Sequence, residues 1–187
     1  MELFFVSSQL NEIACFARSY QNRGRDMSSN VEIYNMPGRN VRMTEMSALL
    51  ARIQLEKLDE FLAKRRSLAE IYRTELSDLD CIDVLIPEDL KSSSFWKVPI
   101  ILDPEVDRSK LTESMLSNGV SVDWAYNPPL HLQPVFVNLY QTFKGQLPIT
   151  EDCLARHICL PCHPRMEVND AFYVTQVLKN SLKGRLV

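Results

Sequence analysis

Three short runs carry side chains that could do chemistry. Cys159-Leu160-Pro161-Cys162-His163 spells C-x-x-C-H, the pattern that attaches c-type haem. Attachment of haem would require export. Zinc could draw on Cys153, His157, Cys159, Cys162 and His163. The second half of such a site would then be close in sequence, with a proline in the middle. A small packed thiol is the plainer role for each cysteine. The second run is Gly38-Arg39-Asn40-Val41-Arg42. Asn40 beside Gly38 reads as a turn residue tolerant of left-handed geometry. Arg42 has Glu45 and Asp59 within reach as solvated partners, a pairing of little energetic value. The third run is Tyr126-Asn127-Pro128-Pro129-Leu130-His131, in which two prolines precede a histidine that could cap the turn.

Elements must hold these residues. Leu3 to Val6 reads as a strand, and Gln9 to Tyr20 as a helix with Leu10, Ile13, Ala14, Phe16 and Ala17 at helical spacing. Gly24 suits the residue just past its end. Residues 27–40 are polar, contain Pro37-Gly38, and read as a loop. Thr44 is a good N-cap with Glu45 in the first turn. From there an apolar stripe runs through Met46, Leu49, Leu50, Ile53, Leu58, Phe61, Leu62, Leu68, Ile71 and Leu76 without a Gly or Pro, which predicts one long helix, with Lys64 as a point where it could bend. Lys64-Arg65-Arg66 reads as its solvated face.

After Pro87, Phe95 to Leu102 is rich in strand formers. Pro99 predicts an edge or a bulge for it. A helix over 109–118 closes at Gly119, residues 120–124 alternate like a half-buried strand, and Asn169 is placed to cap a last helix burying Phe172, Val177, Leu178 and Leu182.

Bulk properties exclude several classes. The 187 residues are 45 % apolar and carry a formal charge of −3. That is globular, and it offers no basic excess for a nucleic acid or an anionic membrane surface. No apolar run approaches the roughly 20 residues that span a bilayer. Met1 to Leu10 has no basic n-region, so the expected compartment is the cytoplasm. Five cysteines, an odd number, are expected as free thiols there.

Three stretches in fixed order resemble the DegT-type nucleotide-sugar aminotransferases. They are Gly38 to Met46, followed by Ala48 and Gln54-Leu55-Glu56-Lys57-Leu58-Asp59; Tyr126 to Pro134; and Leu160-Pro161-Cys162-His163-Pro164. The likeness runs from about Phe5 to Leu182. It implies a fold type I pyridoxal-phosphate enzyme of α/β class: a large cofactor domain, then a smaller carboxy-terminal α+β domain. In that family an amine moves through the cofactor to a keto group of a nucleotide-linked sugar, as in polysaccharide synthesis, and the protein supplies positioning and electrostatics. Two subunits complete each other's sites. The resemblance gives Asn40 the contact to the neighbour's cofactor phosphate, since its amide can donate to a phosphate oxygen. Arg42 offers a cationic fork to substrate. His131 matches the histidine near the sugar-nucleotide entrance. The Leu-Pro-x-His-Pro loop also accounts for Pro161, His163 and Pro164 without haem.

One departure stands out. The family's Schiff-base lysine lies upstream of the Asn40 loop, and here no lysine precedes Lys57. The expected organisation is therefore a remnant of the large domain over 1–43, a long connecting helix over 44–84, and a small domain over 85–187. Its partners would be a second copy or a complementing large-domain polypeptide, with a nucleotide sugar as substrate. A non-catalytic interaction or regulatory module derived from the family is the alternative.

Overall fold

The computed structural model describes residues 11–124, 126 and 128–183. The expected strand at Leu3 to Val6 lies outside them, as does Asn127. The chain divides into two compact units, Met1–Leu58 and Asp59–Val187.

The first unit holds α1 (Asn11–Gln21) and α2 (Glu45–Glu56), joined by an irregular loop. The end of α1 is where loop and helix lock. Gly24 N–H reaches back to Ser19 C=O at 2.8 Å, the long bond of a helix-terminating motif. The left-handed residue that makes this possible is Arg23 (φ +65°), one position before the expected Gly24, which itself sits at φ +85°. Across this corner the returning loop adds Arg39 N–H to Tyr20 C=O (2.7 Å), Arg23 N–H to Arg39 C=O (2.9 Å) and Val41 N–H to Gln21 C=O (3.0 Å). Two backbones come so close that neither glycine can carry a side chain. A Cβ on Gly38 would lie 2.3 Å from Gly24 N, and one on Gly24 would lie 1.6 Å from Met36 O. Asp26 steadies the loop further: one carboxylate oxygen accepts from Ser28 N–H and Oγ, the other from Asn35 Nδ2. These bonds, the Ser28 hydroxyl foremost, hold its carboxyl below the usual range.

Thr44 caps α2 as expected, its Oγ1 accepting from Ser47 N–H at 3.2 Å. The single helix read from Thr44 to Leu76 is in fact two. α2 ends at Glu56, and α3 (Leu58–Glu75) begins after Lys57, whose N–H turns to Gln54 C=O at 3.2 Å, three residues back. That tightened turn interrupts the four-residue ladder. It breaks the stripe where burial changes. Ala51 is the only buried residue of α2, while Met46, Leu49, Leu50 and Ile53 are exposed, as are Ile13 and Phe16 of α1. By contrast α3 buries Leu68, Ala69 and Tyr72.

The second unit is built on a three-stranded antiparallel sheet in the order β1 (Ile82–Val84), β2 (Val98–Leu102), β3 (His157–Leu160). Pro99 therefore lies in the central strand, not on an edge. Its carbonyl accepts Leu85 N–H at 3.1 Å, and the reciprocal bond that a proline cannot give falls opposite Leu85, one residue past the end of β1, so the missing donor coincides with the end of that pairing. On the other side Pro99 faces Cys159. Cys159 gives both backbone groups to Asp123 instead, through N–H to Asp123 C=O at 2.6 Å and C=O to Asp123 N–H at 3.2 Å. The strand expected over 120–124 is reduced to that one bridge.

Around the sheet pack α3, α4 (Arg108–Ser117) and α7 (Val168–Lys183), whose Tyr72, Leu111, Met115 and Leu178 are fully buried with Ile100 and Ile158. Asp107 caps α4 through Lys110 N–H at 3.1 Å. Gly119 ends it at φ +76°, with Val120 N–H on Met115 C=O and Gly119 N–H on Leu116 C=O, both at 2.9 Å. α7 starts one residue before Asn169. Its first turn is closed by the Asp170 carboxylate, which reaches back to Glu167 N–H at 2.8 Å. Val177, Leu178 and Leu182 are buried there as expected, whereas Phe172 is exposed. The basic run on α3 is not a free face: Arg66 donates to Leu90 and Lys91 carbonyls, and Arg65 is half-buried.

Tyr72 ties this core to the loop after β3. Its ring is wholly buried, and its hydroxyl donates to Pro161 C=O at 2.7 Å. Replacing it, Tyr72→Phe, strands that carbonyl. It should cost about 1–3 kcal/mol, read as a lower urea midpoint at unchanged m-value.

Candidate functional site

The candidate residues fall into both units. In the first, the locked corner carries Asn40 and Arg42 outward, and both are exposed. Asn40 is bound into the corner by its backbone, through a bridge to Asn22. Its side-chain oxygen accepts from Arg42 Nε at 3.3 Å. That contact turns the amide: with Oδ1 engaged, Nδ2 is the donor left for a ligand. Among the described residues Arg42 makes no ion pair, so its pairing with Glu45 or Asp59 does not occur. The loop thus presents a neutral amide donor beside a cationic fork, on a backbone with little freedom to move. That combination suits a phosphate or carboxylate oxygen.

In the second unit His131 sits in a 3₁₀ turn, Leu130–Leu132, between Pro129 and α5 (Pro134–Tyr140). The turn is fixed by Gln133 Nε2 on Pro128 C=O at 2.9 Å, and by Thr142 Oγ1, which donates to His131 C=O. The ring is not a loosely held cap. It is 9 % exposed and its Nε2 lies 2.9 Å from Glu151 Oε1, itself 15 % exposed. Glu151 belongs to α6 (Pro148–Arg156). Its carboxylate folds back over the helix start to accept Gly145 N–H at 2.8 and 3.0 Å and Leu147 N–H at 3.4 Å. The hydrogen bond from His131, then the Gly145 and Leu147 amides, hold this carboxyl below the usual range against a desolvation that pushes it up.

The third run is structural in its geometry. Cys159 and Cys162 are buried free thiols. Burial raises the Cys159 thiol and pushes Cys162 up to about 11, and Cys162 Sγ donates to Arg65 C=O at 3.6 Å. His163 is exposed beside them.

Sequence reasoning missed two groups. Glu151 gave only the signal of an acidic residue in the first turn after Pro148, which fits any helix start. The other is a pair on neighbouring segments: Lys97 is hydrogen-bonded to Asp123, which raises the ammonium and lowers the carboxyl, and its Nζ lies 4.9 Å from the centre of the exposed Trp96 ring. Nothing local in sequence joins positions 97 and 123.

This arrangement has close counterparts among known proteins. Residues 5–179 match the DegT/DnrJ/EryC1/StrS aminotransferase family, and the chain belongs to that family. It is 34 % identical over 133 residues to a dTDP-4-dehydro-2,3,6-trideoxy-D-glucose 4-aminotransferase of Saccharopolyspora spinosa, a match covering 70 % of this chain and 32 % of that protein. To a UDP-4-amino-4,6-dideoxy-N-acetyl-beta-L-altrosamine transaminase of Campylobacter jejuni it is 29 % identical over 150 residues, 78 % of this chain and 39 % of the relative. Among solved structures, the aminotransferase TlmJ from Streptoalloteichus hindustanus superposes with a TM-score of 0.80 at 25 % identity, covering 94 % of this chain and 46 % of that one. NtdA from Bacillus subtilis, solved with bound cofactor PMP, shares the fold at TM-score 0.83 and 22 % identity, covering 95 % and 41 %. The fold is thus the mixed α/β fold of the sugar aminotransferases. The chain spans less than half the length of these relatives.

The Glu151 contact has a measurable signature. Followed by carboxyl ¹³C NMR, the Glu151 titration in His131→Gln should move up toward the ordinary carboxylate range without fully reaching it, since the two amides remain. The sign follows for stability. A depressed folded value contributes stability that is present above the unfolded value and lost as pH falls through the folded one. His131→Gln should narrow that acid window.

Proposed function

We propose that this chain is the carboxy-terminal part of a pyridoxal-phosphate-dependent aminotransferase that aminates a keto group of a nucleotide-linked sugar. It would act in the cytoplasm, as a dimer or with a complementing large-domain polypeptide. The observation that carries the reading is the exposed Asn40 amide, its Oδ1 engaged by Arg42, on a corner where Gly24 and Gly38 leave no room for a side chain. A phosphate placed there meets a donor without a competing carboxylate. Asn40 would hold the cofactor phosphate, while Arg42 and His131 would face substrate. The cofactor, when bound, supplies the electron sink for moving the amine. This chain's residues supply binding and orientation.

Within these 187 residues no lysine precedes Lys57, so the Schiff-base lysine is proposed to come from outside this chain. The same feature favours the second reading, a non-catalytic module of the family that keeps an interaction face. The exposed apolar residues of α1 and α2 support association in either case, because contiguous apolar patches beyond a few hundred Å² find partners.

Three measurements test the readings. Borohydride reduction with pyridoxal phosphate, followed by peptide mapping, should find no stoichiometric adduct at any single lysine of this chain alone. One specific lysine labelled, with turnover by the chain alone, would overturn the split. With a complementing large domain, Asn40→Ala should weaken cofactor binding roughly ten- to a hundredfold, the worth of one hydrogen bond to a charged group at about 1.5–3 kcal/mol. Unchanged affinity would leave Asn40 a turn residue. Light scattering should report dimers or larger species, and a monomer at high concentration would count against the interaction face.

A further inference from the structure

We infer that Glu151 is a positioning residue for His131: it accepts the hydrogen bond from Nε2–H, pins the ring, and leaves Nδ1 to donate, when the ring is protonated, to a phosphate oxygen of the ligand. The inference rests on the substrate role proposed above for His131.

The geometry leads there in steps. His131 Nε2 lies 2.9 Å from Glu151 Oε1, with both side chains largely buried. The carboxyl is held ionised by this contact and by the Gly145 and Leu147 amides. An ionised carboxylate can only accept. Nε2 must therefore carry hydrogen whether the imidazole is neutral or charged. Rotation of the ring by half a turn would put Cε1, a carbon, at the carboxylate and forfeit the hydrogen bond, so the contact itself selects the observed orientation. Among the described residues Nδ1 has no hydrogen-bond partner. In the charged state Nδ1–H donates, and the nearby carboxylate balances the imidazolium, so the pair can meet a diphosphate without isolating a buried cation.

Glu151 does a second thing that a plain ion pair would not. The same carboxylate gathers the 145–147 turn, so the ring and the segment leading into α6 are set by one group. Deleting it loosens both, whereas Glu151→Gln keeps an acceptor oxygen and removes the charge. That pair of variants separates positioning from packing.

The test uses the full chain labelled with ¹⁵N, and His131 is assigned by its loss in His131→Gln. The wild type should show an imidazole Nε2–H resonance slow enough in exchange to be seen. Glu151→Gln should move it upfield, and Glu151→Ala should lose it, with core methyl signals of Leu111 and Leu178 in place. Absence of the resonance in the wild type, or an unchanged shift in Glu151→Gln, overturns the inference. If Glu151→Ala does not fold, Glu151→Gln decides alone. A second arm adds uridine diphosphate and follows His131 Nδ1. Perturbation there, weakened at least fivefold in Glu151→Gln, supports both the positioning and the substrate role. A pinned Nε2–H with no response at Nδ1 overturns the substrate role of His131 while the positioning by Glu151 stands.

Discussion

The second unit depends on one buried hydroxyl. Tyr72 brings a hydroxyl into a core made mostly of aliphatic side chains, with Phe95 and Cys162 among them, and that hydroxyl is satisfied by Pro161 C=O at 2.7 Å. The bond joins α3 to the chain just after β3, and so fixes where the strand ends and where the Leu160 to Pro164 loop begins. Proline at 161 cannot offer a backbone donor, so its carbonyl is the group the loop has to place. Burial raises the phenol well above its ordinary value, which favours the protonated, donating form. Around this point the packing is dense: Cys162 answers Arg65 C=O, and Cys159 answers Asp123. The cysteines that spell a haem motif in sequence are walls of this corner.

The first unit is organised differently. It has almost no apolar core among the described residues, and its order comes from backbone bonds across the Gly24–Gly38 contact. That contrast explains what each half can contribute. A packed unit can hold a buried, hydrogen-bonded pair such as His131 and Glu151 at fixed distance. A unit made of a locked corner and two exposed amphipathic helices presents side chains outward and leaves apolar surface to be covered.

Much of this was legible in sequence, and the failures have physical causes. Thr44 as a cap, the helix ending at Gly119 and the final helix follow local rules of capping and periodicity, and local rules held. Periodicity alone could not find the break at Lys57, because neither Gly nor Pro marks it and the apolar stripe continues across. Pro99 was read as an edge residue because the rule concerns a missing donor. In the structure the missing donor falls at the position where the pairing with β1 ends, so a proline fits a central strand there. The Asn40 loop could be found by its motif, but the role of Arg42 in turning the amide depends on a 3.3 Å contact between side chains two residues apart. Glu151 and Lys97–Asp123 were invisible for a simpler reason: each joins positions 20 or more apart.

The Gly24–Gly38 contact also bears on the order of assembly. It links segments separated by a short loop, and closing a loop of about ten residues takes on the order of 10–100 ns. The Tyr72–Pro161 bond must instead bring together residues 89 positions apart, after α4, α5 and α6 have been accommodated between them. The corner is thus a local contact and the core bond a long-range one, so the loop-closure entropy each must offset differs.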